Sequence, residues 1–297
     1  MEDLCAFCSS KISSKRTSLR EIVYNLPRRY RFCDECSGYT LLPKLTPGEL
    51  EDLYSDYYLD DFSSTDVYRF EGDSDSYKKY ANTRKFLSES NPLGKTFLDY
   101  GCGLDGHGLL IARELGLQPS GLEISPATRE ILRLKTQLPI LAPEELFLSS
   151  CTFDYILLSD VLEHDGDPGK ILQSVKHHLG IDGKLIVQGP LEGVSSISNL
   201  MINLYNYLTP NRVSYSRPYH VSLGNYKSYS ELLHKNGFSI MSCRISETWW
   251  PAPTSIQKYT DLPKFLIQGT AKLIDFLLSR FFPNYGSRFW LIATCRK

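Results

Sequence analysis

A short apolar run, Thr96–Gly101, ends in Asp99-Tyr100-Gly101-Cys102-Gly103, and helical periodicity resumes in Leu109–Gly116 (LLIARELG). This spacing predicts strand, glycine turn and helix, and no other feature constrains the chain as much. Glycines there let the backbone approach a ligand closely at the N-terminus of a helix. A unit of this kind belongs to a parallel sheet covered by helices on both faces. The turn alone leaves the ligand open, because dehydrogenases place a dinucleotide pyrophosphate at the same point.

The alternation continues downstream. A second strand, Pro119–Glu123, ends in an acidic residue where a carboxylate can accept ribose hydroxyls. PATREILRLKTQLPIL supplies a helix and a third strand, and Phe153–Ser159 is a fourth strand that runs into Asp160-Val161-Leu162-Glu163-His164. Helix Pro168–Leu179 and the strands Lys184–Gln188, Ser239–Ile245 and Arg288–Thr294 follow. A chain of 297 residues has room for one such α/β domain and a small accessory module.

In LDYGCG, GLEIS, FDYILLSDVLEHDGDP and HHLGIDGKLIVQGP, taken in order, the chain resembles the class I S-adenosylmethionine-dependent methyltransferases. VLEH followed by DP is the part that dehydrogenases have no reason to carry. The resemblance implies a Rossmann-like, seven-stranded, mostly parallel sheet of order 3-2-1-4-5-7-6, with its last strand antiparallel. It implies that Asp99, Gly101 and Gly103 surround the methionine part of S-adenosylmethionine, that Glu123 holds the ribose and that the chain near Ala142 and Pro143 lies beside adenine. Asp160 and Val161 are expected on the methionine side, with Cys102 and Ile124 as further cofactor contacts. One position departs from the family: Asp105 stands where the third motif glycine belongs. A one-residue insertion gives that role to Gly106 and keeps LLIAREL in helical register.

Eight cysteines divide into two C-x-x-C pairs, Cys5/Cys8 and Cys33/Cys36, and four scattered singly at Cys102, Cys151, Cys243 and Cys295. Two knuckles at that spacing can close tetrahedrally on one structural Zn²⁺, with two disulfides as the alternative. The single cysteines are expected in the core. Residues 1–45 then form a zinc ribbon, with REIVYNLPRRYRF as strands around a proline turn. Residues 46–92 form a linker whose helix is capped by Thr46, Pro47 and Glu49 and which ends in an aromatic flap at Tyr54, Tyr57 and Tyr58. Residues 93–297 form the methyltransferase domain.

Lys11, Lys15, Arg16, Arg20, Arg28, Arg29 and Arg31 face only Glu21 between Lys11 and Arg31, a basic run able to meet phosphate or simply to be solvated. Globally, 33 Lys and Arg against 34 Asp and Glu create no field for a polyanion. The N-terminus lacks a secretory pattern, and no stretch reaches the roughly 20 apolar residues of a membrane span, so a soluble cytoplasmic protein is expected. The helix LPKFLIQGTAKLIDFLLSRFF is expected to pack on the core, with peripheral membrane contact as the alternative.

Methyl transfer to a hydroxyl requires a base, and histidine is best matched to neutral pH. His164 closes VLEH at the tip of the fourth strand, and His220 in RPYHVSLGNYKSYSELLHKNGF precedes the next helix; His220 is the preferred base or substrate contact. His177, His178 and His234 are expected on the surface. An insertion, residues 190–227, rich in Tyr, Asn and Ser and containing Arg212 and Arg217, is expected to cover the site and to suit a sugar or nucleotide-linked sugar. An RNA methyltransferase gripping its substrate with residues 1–45, or a non-catalytic cofactor-binding scaffold, are the alternatives.

Overall fold

The structure, a computed structural model, describes residues 3–18, 21–54, 79–192, 220–247, 262–282 and 284–296, with short pieces between 196 and 215. The expected flap tyrosines Tyr57 and Tyr58, and Arg20, Arg212 and Arg217, lie outside the described residues.

The larger sheet is built from strands that are apolar along most of their length, as strands covered on both faces must be. Its members are β4 (Thr96–Tyr100), β5 (Gln118–Leu122), β6 (Ile140–Leu141), β7 (Phe153–Ser159), β8 (Leu179–Pro190), β11 (Phe238–Ser246) and β12 (Arg288–Cys295). From edge to edge they run β11-β12-β8-β7-β4-β5-β6, which reads 6-7-5-4-1-2-3 when counted from β4. All neighbours are parallel except β12, which is antiparallel to both β8 and β11. Helices α2 (Ala81–Glu89), α3 (His107–Glu114), α4 (Pro126–Thr136), α5 (Pro143–Leu148), α6 (Pro168–His178) and α7 (Tyr226–Lys235) accompany these strands. Tyr100 is in register with Leu122 on one side and Leu158 on the other, so the carboxyl ends of β4, β5 and β7 finish level. Ligands bind at that edge of such sheets.

The N-terminal module contributes β1 (Glu21–Tyr24), β2 (Leu26–Phe32) and β3 (Tyr39–Leu42). The β1–β2 turn is made by Asn25 at φ 58°, a conformation asparagine tolerates; Pro27 lies inside β2 and is not the turn residue expected from the sequence. The sheet has five strands, because β9 (Val213–Tyr215) pairs with β1 and β10 (Ser222–Leu223) pairs with β3. Both of these come from the segment expected to cover the site. The module also shares the domain's core: Cys5, Phe7, Ile12, Cys33 and Cys36 belong to the same buried cluster as Leu158, Tyr229 and Phe289. Thr46 and Glu49 cap α1 (Pro47–Tyr54) reciprocally at 2.9 and 3.2 Å, as the sequence pattern requires.

Helix α8 (Leu262–Phe281) turns Lys272 and Asp275 inward, while Arg280 is exposed. Lys272 pairs with the buried Glu247, and fully buried Asp275 accepts hydrogen bonds from the Ile197 and Ser198 N–H groups at 2.7 and 2.8 Å and from the Tyr285 hydroxyl. Its outer face exposes Leu266, Ile267, Leu273, Ile274, Leu277 and Phe281. Among the described residues no helix is long and apolar enough to cross a membrane. Two further expectations change: His178 is buried, with Nδ1 3.0 Å from the Cys151 carbonyl, and Cys151 is exposed.

Asp275→Ala removes the buried acceptor shared by the Ile197 and Ser198 N–H groups, the Ser198 hydroxyl and the Tyr285 phenol. The substitution is expected to destabilise the protein by about 2–4 kcal/mol in denaturant melts, against less than about 1 kcal/mol for the exposed Leu273→Ala.

Candidate functional site

The glycine turn is held by backbone. Gly101 and Cys102 N–H groups donate to the Leu122 carbonyl at 2.8 and 3.0 Å, which folds the chain from β4 over the end of β5. Glu123, buried where β5 ends, accepts from Gly103 N–H at 3.1 Å and from Ser125 N–H at 2.9 Å. Gly106 stands before α3 at φ 57°, the left-handed conformation that favours glycine. Asp105 Oδ2 lies 3.0 Å from His107 Nδ1, and Asp105 Oδ1 accepts from the His107 N–H at 3.3 Å. Ile124 is exposed, Cys102 is buried, and Ala142 and Pro143 open α5, which follows the edge strand β6. Val161 packs on Gly101, where an added Cβ would meet its Cγ2 at 2.9 Å.

Asp99 lies beneath this turn with neither carboxylate oxygen in a well-formed hydrogen bond among the described residues. Burial, reinforced by the negative charge of Asp105, pushes its pKa up to about 8. Burial likewise raises Glu123. Two carboxylates short of counter-charge beside a glycine turn suit a ligand that brings cations and hydroxyls.

Asp160 ends β7 at φ 55°, a strained conformation for a residue with a side chain. Lys79 reaches it at 3.0 Å and Arg288 bonds its other oxygen. Although burial opposes ionisation, these two cations hold its pKa down at about 2. The chain then makes a 3₁₀ turn, Leu162–His164, that brings His164 against His220, with ring centroids 4.8 Å apart and planes at 82°. His220 Nδ1 lies 2.8 Å from Glu192. Burial lowers His220, but the Glu192 bond and charge more than reverse this and raise it to about 9. Burial and the neighbouring His220 charge lower His164 to about 3. Glu163, buried and with one unpaired oxygen among the described residues, rises to about 8 through burial and the Asp160 charge. The two histidines therefore differ at neutral pH: His164 is neutral and His220 is cationic.

Behind this lies the cysteine cluster. All four sulfurs of Cys5, Cys8, Cys33 and Cys36 lie within 4.8 Å of one another, and none is in a disulfide. The two knuckles have the same backbone design: the first cysteine N–H donates five residues on (to Ser10 at 2.9 Å, to Gly38 at 2.9 Å) and its carbonyl accepts from Ser9 or Ser37. Ser9 and Ser37 are both left-handed, at φ 58° and 61°. Four thiols in two such turns fit the donor set of a closed tetrahedral metal site.

The sequence matches the family model described as "Methyltransferase domain" over residues 73–242. The chain belongs to that family. It is an S-adenosylmethionine-dependent methyltransferase. A search of curated proteins finds no match. Among solved structures it is similar to magnesium protoporphyrin IX methyltransferase from Synechocystis, solved with bound S-adenosylhomocysteine, at 15% identity and TM-score 0.55, covering 85% of this chain and 100% of that one. It is also similar to geranyl diphosphate C-methyltransferase from Streptomyces coelicolor, at 14% identity and TM-score 0.50, covering 84% and 98% respectively. Both likenesses concern the fold.

Within this methyltransferase four arginines of the basic run have partners in the N-terminal module and α1, among the described residues. Arg28 is buried and bidentate to Glu49 at 2.8 Å, Arg31 pairs with Asp3 at 2.6 Å, Arg29 with Glu21 at 3.4 Å, and Arg16 covers the Phe32 ring. The sequence reading missed Lys79, Arg288, Glu163 and Glu192. Glu163 was visible beside His164, whereas Glu192 reaches His220, and Lys79 and Arg288 reach Asp160, only through the fold.

Gly108 packs so tightly on Asp99 that an added Cβ would stand 2.3 Å from its carboxylate, whereas at Gly103 nothing lies within 4 Å. Gly108→Ala is expected to cost several-fold more stability than Gly103→Ala, whose cost of about 1 kcal/mol comes from φ alone. Paired thermal melts check the order.

Proposed function

We propose that this methyltransferase acts on a small hydroxylated metabolite, a sugar or nucleotide-linked sugar, with His220 as the acceptor-side base. S-adenosylmethionine, when bound, supplies a methyl group on a cationic sulfur. Asp99, Gly101, Cys102, Gly103 and Gly106 form the cradle for its methionine portion, Glu123 and Ile124 the ribose contact, and Ala142 and Pro143 the adenine side. Asp160 and Val161 close the methionine side, Asp160 acting through the charge that Lys79 and Arg288 neutralise. Glu123 already accepts from two backbone N–H groups, so it stands oriented, with its remaining lone pairs for hydroxyls. The four cysteines hold a structural Zn²⁺ that takes no part in the transfer.

The observation that carries the acceptor side is the Glu192–His220 pair at 2.8 Å, facing His164 across the carboxyl edge of the sheet. The neutral imidazole of His220 takes the proton of the acceptor hydroxyl as the carbon–oxygen bond forms and the carbon–sulfur bond breaks. Glu192 holds the resulting imidazolium, and desolvation by the surrounding core strengthens the pair. His164, held neutral, donates or accepts a hydrogen bond without adding a charge beside the cationic sulfur. The Tyr- and Asn-rich composition of residues 190–227 supports a hydroxylated acceptor. The paired arginines of the module and the near-zero net charge speak against RNA.

The sign of the pH dependence follows from His220. A base whose pKa is raised to about 9 is mostly protonated at neutral pH, so turnover at saturating acceptor is expected to rise about tenfold per unit between about pH 6 and 8 and to level near 9. Glu192→Gln is expected to move that limb down towards 6.5, and His220→Ala to lower turnover by about 10²–10⁴ while cofactor affinity stays unchanged. A rate that is flat from pH 5 to 9 removes His220 from the base role.

A further inference from the structure

The segment that carries His220 is tied to the cysteine module at both ends. Val213–Tyr215 lies parallel to β1 at one edge of the module's sheet, and Ser222–Leu223 lies antiparallel to β3 at the opposite edge. Between these edges is β2, and from it the Tyr30 hydroxyl donates to the His220 carbonyl at 2.5 Å. The next residue is gripped from both sides: Leu41 N–H donates to the Val221 carbonyl at 2.9 Å, and Val221 N–H donates to the Glu163 carbonyl at 2.8 Å. Val221 thus joins a module strand to the 3₁₀ turn that presents His164.

The knuckles hold the helix that follows. Asn225 donates from Nδ2 to the Ser37 carbonyl at 2.7 Å, Lys227 from Nζ to Glu35 at 2.5 Å, and Lys235 from Nζ to Cys8 at 2.7 Å. The Phe7 ring meets Tyr229 edge-on at 5.2 Å, and a Cβ on Gly38 would collide with Phe7. Both cysteine turns are therefore fastened to α7, immediately after His220.

We infer that Tyr30 is a positioning residue for His220, and that through it the cysteine module, with the 3₁₀ turn that holds Val221, sets where the acceptor-side imidazole stands. The inference rests on the base assignment above for its kinetic consequence, but not for its structural one. A hydrogen bond to the carbonyl fixes the backbone from which the imidazole projects, and the 2.8 Å contact with Glu192 depends on that direction. Burial and the Glu192 charge raise the Tyr30 phenol, so it remains a neutral donor. The charged and titratable groups facing His220 are Glu192, Glu163, Asp160 and His164. Of these, the module controls the distance to Glu192.

The test uses full-length protein and Tyr30→Phe, which keeps the ring and removes only the hydroxyl. Asn225→Ser, which keeps a side-chain oxygen to cap α7 where Asn225 Oδ1 accepts from Ser228 N–H and removes the Nδ2 donor to Ser37 without touching Tyr30, is the second variant. His220 is followed by NMR titration of labelled imidazole, alongside the pH–rate profile. Both variants are expected to lower the His220 midpoint from about 9 towards 6.5. Turnover is expected to fall by about 10- to 100-fold, the scale of an ångström-level misplacement, while cofactor affinity is unchanged. A midpoint that stays in place in both variants overturns the inference, whatever the activity. A wild-type rate that ignores the His220 titration overturns the base assignment instead, and the midpoint shifts still decide the positioning role.

Discussion

Asp160 is the group on which the rest of the site depends. Its left-handed backbone turns the chain out of β7 into the 3₁₀ turn, and its ionised carboxylate joins Lys79, which precedes α2, to Arg288, which opens β12. A carboxylate so deeply placed is costly unless paired, and two cations hold it ionised. That fixed charge then raises the pKa of Glu163 and supports the cationic form of His220. Backbone strain, ion pairing and the protonation of the acceptor-side groups are thus linked through one residue.

The donor side follows a different logic. Asp99 and Glu123 are buried without a cation beside them comparable to Lys79 or Arg288 at Asp160, so both are raised, Asp99 to about 8. Glycine supplies the remaining geometry: Gly106 accepts the left-handed turn, and Gly108 lets α3 approach Asp99. A cation beside Asp99 would relieve the strain that burial places on it.

Much of this was legible in the sequence, for identifiable reasons. The strand–turn–helix signal and the carboxylate ending the second strand are local patterns set by backbone needs. The C-x-x-C spacing brought four sulfurs together because each knuckle is a self-contained turn. Contacts made across long sequence separations were not legible. Nothing in the sequence said that residues 213–215 and 222–223 would complete the N-terminal sheet, so the module read as a separate ribbon. The arginine run looked like an open basic face because its partners Asp3 and Glu49 become neighbours only on folding. His178 read as a surface residue because it lies on an amphipathic helix, yet the carbonyl of Cys151 buries it.

The most direct test of the account is calorimetric titration of the free protein with S-adenosylmethionine near pH 7, in two buffers of different ionisation enthalpy. Asp99 is raised to about 8 and so is largely protonated before binding, whereas a cation beside it favours the carboxylate. The expected result is one cofactor per chain, bound with release of a fraction of a proton, and affinity that tightens as pH rises towards 8. A protein that binds no cofactor, with the fold intact by circular dichroism, contradicts the account.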